Sequence, residues 1–358
     1  MISRELYPFS CSYTPNMPEL LHKLNLSIVI TAFQADKVIF VSPKSPEELV
    51  QLPRTFQRPM GLAIDGDKMA IATQFDVTVL KNSISLAQSY PNNPDTYDAF
   101  FAPRASYYTG GVDIHDLHWG EDGLYAVNTS FSCICKIDEA YSFTPIWKPH
   151  FISSLENNDR CHLNGLAMSN GKPKFVTSLG TGDHSQSWRE NIMTGGVVID
   201  VDSNEIVCDG LCMPHSPNIY NGELFVLLSG KSMLGKVDVR SGKFEDIMHI
   251  PGFVRGMTRH EDFLFVATSR LRKNSSTFRH LNFDDSVDIA SVLMIHLPTT
   301  TVMAKMTYNS SVDEIYDIQV LHGATRPNII NTDKAIHQRA IHIPDRSYWD
   351  EEIGSGVQ

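Results

Sequence analysis

The feature that most limits what this chain can become is a recurring phrase. An apolar strand, a polar turn and a second apolar strand appear five times, over Met60–Thr73, His115–Thr129, Asn164–Ser178, His215–Ser229 and Arg255–Ser269. The copies recur at intervals of roughly 40 to 55 residues, in or just above the range of propeller blades. After the second copy, strand signals follow at Phe131–Asp138 and Phe143–Trp147. Gly196–Val201 with Glu205–Cys208, Gly235–Val239 with Phe244–Ile250, and Ser291–Leu297 with Val302–Tyr308 follow the next three. Four strands per unit make a propeller blade.

The two ends of the chain supply one more unit. Ser27–Phe33 and Lys37–Ser42 are β-branched runs split by Gln34-Ala35-Asp36, a hairpin signal. Glu48–Phe56 reads as a third strand, which Pro53 confines to an edge. Glu314–Leu321 reads as an inner strand with no hairpin partner after it. Joined, they form a blade that removes the free sheet edges. The expected fold is therefore all-β: a six-bladed β-propeller closed by three N-terminal strands plus one C-terminal strand. The expected division is an N-terminal extension over 1–26 with a short helix within Glu19–Leu24, a propeller over 27–324, and a C-terminal strap and tail over 325–358. Two insertions interrupt the pattern, Ser83–Gly110 with Pro91, Pro94, Pro103 and several tyrosines, and Leu179–Thr194. Long loops in a compact domain are usually functional or disordered.

Composition narrows the partners. A net charge of -11 argues against a phosphate-backbone partner. No run approaches the roughly 18 apolar residues of a membrane span, and the N-terminus lacks a signal-peptide pattern. The six cysteines include no Cys-x-x-Cys pair, so they read as reduced thiols of a cytoplasmic protein. The expected partner is a small-molecule ligand, with no nucleic acid and no membrane, and a protein partner is left open.

Several motifs lie where the phrases begin. They are Arg58-Pro-Met-Gly-Leu-Ala63, Asp113-Ile-His-Asp-Leu-His-Trp119, Asp159-Arg-Cys-His-Leu-Asn-Gly-Leu-Ala167, Met213-Pro-His-Ser-Pro217 and Pro251-Gly-Phe-Val-Arg-Gly256. Together they resemble an uncharacterised family of bacterial conserved hypothetical proteins, from about residue 20 to 327; the resemblance brings no established activity. Asn164-Gly-Leu-Ala167 is more distantly similar to a strand of the gluconolactonase and strictosidine-synthase-like propellers.

Aligning the copies assembles a candidate site. The starts of the inner strands are Met60, His115, Asn164, His215, Arg255 and Tyr316, and two residues earlier stand Arg58, Asp113, His162, Met213, Phe253 and Glu314. In a propeller these starts gather at one mouth of the central channel. Loops on the same side bring Asn128, Asp183, His184, Trp188, Arg189, Lys231, Arg270 and Arg272. His115, His162, Asn164, His215 and Glu314 are candidate ligands for one divalent metal ion, with calcium, manganese, iron and zinc not distinguished and Asp113 available to complete the shell. His115 and His215 are candidate general bases, and Arg255 a candidate for steadying negative charge. Asn128, Trp188, Arg189, Arg270 and Tyr316 are candidate substrate contacts. His118 alternates away from His115 and reads as structural. Cys161, beside His162, is a minor candidate nucleophile.

Two functions fit this pattern. The first is an enzyme on a small polar, anionic or carbohydrate-like substrate at the channel mouth, metal-assisted in one version, of hydrolase, lyase or epimerase type. The second is a non-catalytic ligand- or protein-binding propeller, with contacts carried by the Trp188–Arg189 loop and the tyrosine-rich 97–108 segment.

Overall fold

The computed structural model describes residues 7–270 and 290–350. Six antiparallel sheets surround a central channel. We number the blades in chain order. From the channel outward, blade 1 holds Leu62–Asp65, Lys68–Ala72, Asp76–Asn82 and Ala99–Tyr108. Blade 2 holds Ile114–Gly120, Gly123–Asn128, Cys133–Ile137 and Thr144–Trp147. Blade 3 holds Leu163–Ser169, Lys172–Ser178, Gly196–Asp200 and Glu205–Leu211. Blade 4 holds Pro214–Tyr220, Glu223–Leu228, Met233–Asp238 and Lys243–His249. Blade 5 holds Phe253–His260, Phe263–Ser269, Ser291–His296 and Thr301–Tyr308. Blade 6 joins the two ends of the chain: Asp317–His322 is innermost, and Leu26–Ala32, Lys37–Pro43 and Leu49–Thr55 follow. Pro53 lies on the outermost of these strands, where its missing N–H breaks no ladder.

The core follows from strand periodicity. Successive side chains point to opposite sheet faces. In blade 2, Leu124 and Ala126 pack toward blade 1, while Tyr125 and Val127 pack toward blade 3. Both faces are buried, so the strand reads as a continuous apolar run instead of an alternation. The same arrangement gives one apolar cluster at every blade–blade interface.

Polar groups lock the inner ring. The Asp116 carboxylate of blade 2 accepts from Leu166 N of blade 3 at 2.9 Å, and that of Asp317 in blade 6 accepts from Leu62 N of blade 1 at 2.9 Å. The Ser216 hydroxyl of blade 4 accepts from Gly256 N of blade 5 at 3.1 Å. Glycines at the equivalent position of the alternate blades allow this close approach. A Cβ on Gly165 would stand 2.4 Å from Pro217 Cδ, and one on Gly256, at φ +76°, would stand 3.2 Å from the Asp317 backbone. Hydroxyls at the ends of second strands add a further set of bonds. Thr31, Thr129, Ser229 and Ser269 donate to Met60, Leu163, Val254 and Ile315 carbonyls of the next blade, at 2.8, 2.5, 2.6 and 2.9 Å.

Three segments differ from their sequence reading. The second half of the expected Ser83–Gly110 insertion is the outer strand of blade 1, Ala99–Tyr108. Its apolar Ala99-Phe-Phe-Ala102 start is buried, and the register shifts beside Pro103, which has no N–H to pair. Only the stretch around the helix Ile84–Gln88 departs from the blade pattern. At the N-terminus, Cys11–Tyr13 adds a fifth strand to blade 5, and the helix runs Asn16–Lys23, with Met17 and Leu21 in the core between blades 5 and 6. At the other end, Pro327–Ile329 adds a parallel strand to blade 1, and the hairpin Ala340–Ile343/Arg346–Trp349 follows. Trp349 donates to Leu86 O at 2.9 Å and packs against Tyr90 and Phe100.

Candidate functional site at the channel mouth

A cavity of about 360 Å³ opens at one end of the channel. Its wall is built by the turn that leads into each inner strand. Arg58, Asp113, His162 and Met213 occupy the same position in blades 1 to 4, and all four adopt left-handed backbone, with φ of 45°, 49°, 54° and 54°. Non-glycine residues rarely adopt this conformation, and it is strained. Phe253 and Glu314 complete that tier in blades 5 and 6. Of the aligned repeat starts, Met60, His115, His215, Arg255 and Tyr316 also line the cavity.

Asn164 is the exception. Its side chain donates to Pro214 O at 3.0 Å and accepts from the Thr177 hydroxyl at 2.6 Å, and it borders a small compartment deeper in the channel. Asn128 lies outside the cavity too; it is fully buried and caps the following turn by accepting from Phe131 N at 3.0 Å. Trp188, Arg189 and Arg270 are in the wall. Asp183 and His184, from the same loop as Trp188, are not: Asp183 pairs with Arg160 at 2.5 Å and His184 with Glu190 at 2.8 Å. Arg272 lies outside the described residues.

The three histidines share one pattern. The Nδ1 of His115 lies 3.1 Å from Asp113 O, and that of His215 lies 3.0 Å from Met213 O. A carbonyl only accepts, so Nδ1 carries the proton in both. Ser229 Oγ, whose own hydrogen goes to Val254 O, is 2.8 Å from the same His215 nitrogen. The Nδ1 of His162 meets the Asp159 carboxylate at 3.0 Å. In the neutral form of such a ring, Nε2 is left with the lone pair, the form needed by a general base or a metal ligand. Burial first, then the positive partners around them, holds both His115 and His215 well below the ordinary imidazole range; His162 and Arg255 contribute for His115, and Arg255 for His215.

Asp159 and Trp188 form the support behind His162. The indole N–H donates to Asp159 at 2.9 Å, and the indole ring lies against His162 with centroids 4.4 Å apart. At only 5% exposure, Trp188 is a buttress more than an open platform. The role of Asp159 is missed by aligning strand starts, because it sits three residues before His162; the spacing Asp-x-x-His was the available signal. Arg255 sits over the face of Tyr316, its guanidinium carbon 3.5 Å from the ring centroid. Arg58 and Arg189 cover Phe33 and Trp188 at 4.8 and 4.3 Å. Arg270 pairs with Asp313 at 2.9 Å.

Beneath this cavity lies a compartment of about 30 Å³, room for about one water molecule. Asp116, His118 and Asp317 border it. Burial, then the neighbouring Asp116 charge, pushes the Asp317 carboxyl up to about 7. Burial opposes a charge on His118, but Asp116, 3.2 Å away, outweighs it and raises its pKa. Cys161 is fully buried, and burial pushes its thiol up to about 12, which removes it as a nucleophile near neutral pH.

Sequence comparison places the chain. Residues 15–330 match a family described as a domain of unknown function (DUF4915). The chain belongs to that family. None of the curated proteins matches it. Among solved structures it is similar to a Bacteroides caccae protein of unknown function, with 8% identity, a TM-score of 0.50, and 83% of this chain and 99% of that chain covered. A structure from a nidogen/laminin complex aligns with a TM-score of 0.49 at 10% identity, over 83% of this chain and 99% of that chain. At such identities the likeness concerns the fold alone. Among the described residues, no three His, Cys, Asp or Glu side chains form a group that could hold a metal ion, and no helix is long and apolar enough to cross a membrane.

Proposed function

We propose that this DUF4915 propeller is an enzyme acting on a small polar, anionic or carbohydrate-like substrate in the cavity at the channel mouth. One observation carries the reading. His115, His162 and His215 come from three blades, each has its Nδ1–H tied to a fixed acceptor, and all line one cavity with Arg255. Such pre-oriented imidazoles suit proton transfer, and a guanidinium beside them suits a developing negative charge. A purely structural set of strand-start residues has no need for three oriented rings around an open volume. His115 and His215, kept neutral, serve as proton acceptors, and Arg255 serves the charge. Hydrolysis, elimination and epimerisation all use these parts; the distant likeness of Asn164-Gly-Leu-Ala167 to the gluconolactonase-type propellers is a reason to screen hydrolysis first.

The metal-assisted version would use the Nε2 atoms of His115, His162 and His215 with Glu314, which as they stand do not close into a metal-holding group among the described residues. The anchored Nδ1–H groups favour it, and the Arg255 charge beside two of the rings works against it. With its amide already bonded on both sides, Asn164 is the weakest of the proposed ligands. The free thiols fit a reducing compartment, so we place the protein in the cytoplasm.

The test is a thermal-shift screen of small acids, sugars and sugar acids, followed by NMR detection of turnover, with metal analysis of the purified protein. Hits should be converted by the wild type, and His115→Ala or His215→Ala should cut turnover at least 100-fold. A hit bound equally well by both variants and left unchanged by the wild type would remove the enzyme reading in favour of a binding propeller.

A further inference from the structure

The floor of the cavity narrows the chemistry of the ligand. Arg255 borders both the main cavity and the deeper compartment, so it sits where the two meet. Its guanidinium carbon stands over the Tyr316 ring, 3.5 Å from the centroid, and no ion pair joins it to any carboxylate among the described residues. Contact with the ring face holds the group in place and leaves N–H donors on its edge for an acceptor. The rings on either side, His115 and His215, are neutral. The hydroxyl of Tyr316, 7% exposed, has no hydrogen-bond partner among the described residues, although buried hydroxyls normally have one. The floor thus offers one positive charge with its N–H donors, seated on the Tyr316 ring.

We infer that Arg255, held by Tyr316, anchors the single carboxylate of a small hydroxylated acid, whose hydroxyl groups point back toward Asp113 and Glu314. This rests on reading the cavity as a small-ligand site. A planar carboxylate matches a guanidinium edge with two parallel hydrogen bonds. A phosphate dianion fits the floor worse: Arg255 is the one arginine that borders the deeper compartment, while Arg58, Arg189 and Arg270 line the wall above it together with Asp113 and Glu314, and Arg270 pairs with Asp313. Those two carboxylates are acceptors for hydroxyl groups. The volume of about 360 Å³ suits a small metabolite.

The experiment is calorimetric titration of the full-length protein with D-glycerate, D-gluconate, glucose, inorganic phosphate and sulfate. At least one of the two hydroxy acids should bind, more tightly than phosphate, sulfate or glucose. Arg255→Met should weaken it at least 30-fold. Arg255→Lys, which keeps the charge without the fork, should weaken it about 10-fold. Tyr316→Phe keeps the stacking ring and should lose less than either, and circular dichroism shows that each variant is folded. Phosphate or sulfate binding more tightly than both acids overturns the carboxylate assignment, and equal acid affinity in wild type and Arg255→Met overturns the anchor. Glucose binding alone overturns the acid inference while leaving a small-ligand site in place. If neither acid binds, the inference falls, and the wider screen decides the enzyme reading separately.

Discussion

At the scale of single residues, the same few side chains both lock blades and shape the site. Ser229 spends its hydrogen on Val254 O of the next blade and offers its oxygen to His215, so ring closure and imidazole orientation meet in one hydroxyl. Asp317 shows the cost of such economy. Its carboxylate holds Leu62 N and Ile318 N, yet burial and Asp116 raise its pKa from 3.8 to about 7. Between those values the folded state binds a proton that the unfolded chain releases. Its stabilising contribution is therefore complete below about pH 4 and is lost as pH rises through about 7. Urea denaturation of the wild type should show this loss between about pH 4 and 7, and Asp317→Asn, which cannot ionise, should flatten it. An unchanged pH slope in the variant would show that another group is responsible. At this scale the chain order was informative. Every residue aligned at or two positions before a strand start, apart from Asn164, reaches the cavity, because repeats place equivalent positions at equivalent depth. Asn128 and Asn164 do not, since a polar side chain at a blade end is as useful for bonding backbone as for meeting a ligand.

At the scale of elements, the blade is set by two-residue periodicity and its neighbours by glycine. The residues that follow the aligned repeat starts run Gly61, Asp116, Gly165, Ser216, Gly256 and Asp317, small and bonding residues in alternation. Gly165 is the tightest of the three glycines, with Pro217 and the Thr177 hydroxyl at 2.4 and 2.8 Å from the place of a Cβ. Gly165→Ala should therefore destabilise the protein by about 1–3 kcal/mol, the usual cost of overpacking, read as a lower denaturation midpoint at unchanged slope. An effect below about 0.5 kcal/mol, the size of a neutral surface change, would mean that blades 3 and 4 separate easily. The outer strand Ala99–Tyr108 was harder to recognise, because Pro91, Pro94 and Pro103 make its surroundings resemble a loop. Only pairing with Asp76–Asn82 shows it to be part of the sheet.

At the scale of the molecule, the ring is held shut by blade 6, in which Asp317–His322 pairs with Leu26–Ala32 across almost the whole chain. Both neighbours of this blade are extended by the chain ends, blade 5 by Cys11–Tyr13 and blade 1 by Pro327–Ile329. A chain ending at residue 312 loses the inner strand of the closing blade and exposes the apolar clusters on its two sides. It should unfold without a single cooperative transition, so that tryptophan fluorescence and far-ultraviolet circular dichroism no longer coincide. Coincident, wild-type-like transitions would show that closure does not stabilise the ring. The all-β class, the blade count and the way the ends meet were legible from the amino-acid order, because alternation, turns and repeat spacing are local properties of the chain. The same order also sorted the candidates by position. Which ring nitrogens are tied to an acceptor, that Trp188 supports His162, and that Arg255 lies on Tyr316 came from the three-dimensional arrangement alone. Those depend on backbone and side chains from different blades meeting at hydrogen-bond distance, and no pattern within one strand records that meeting.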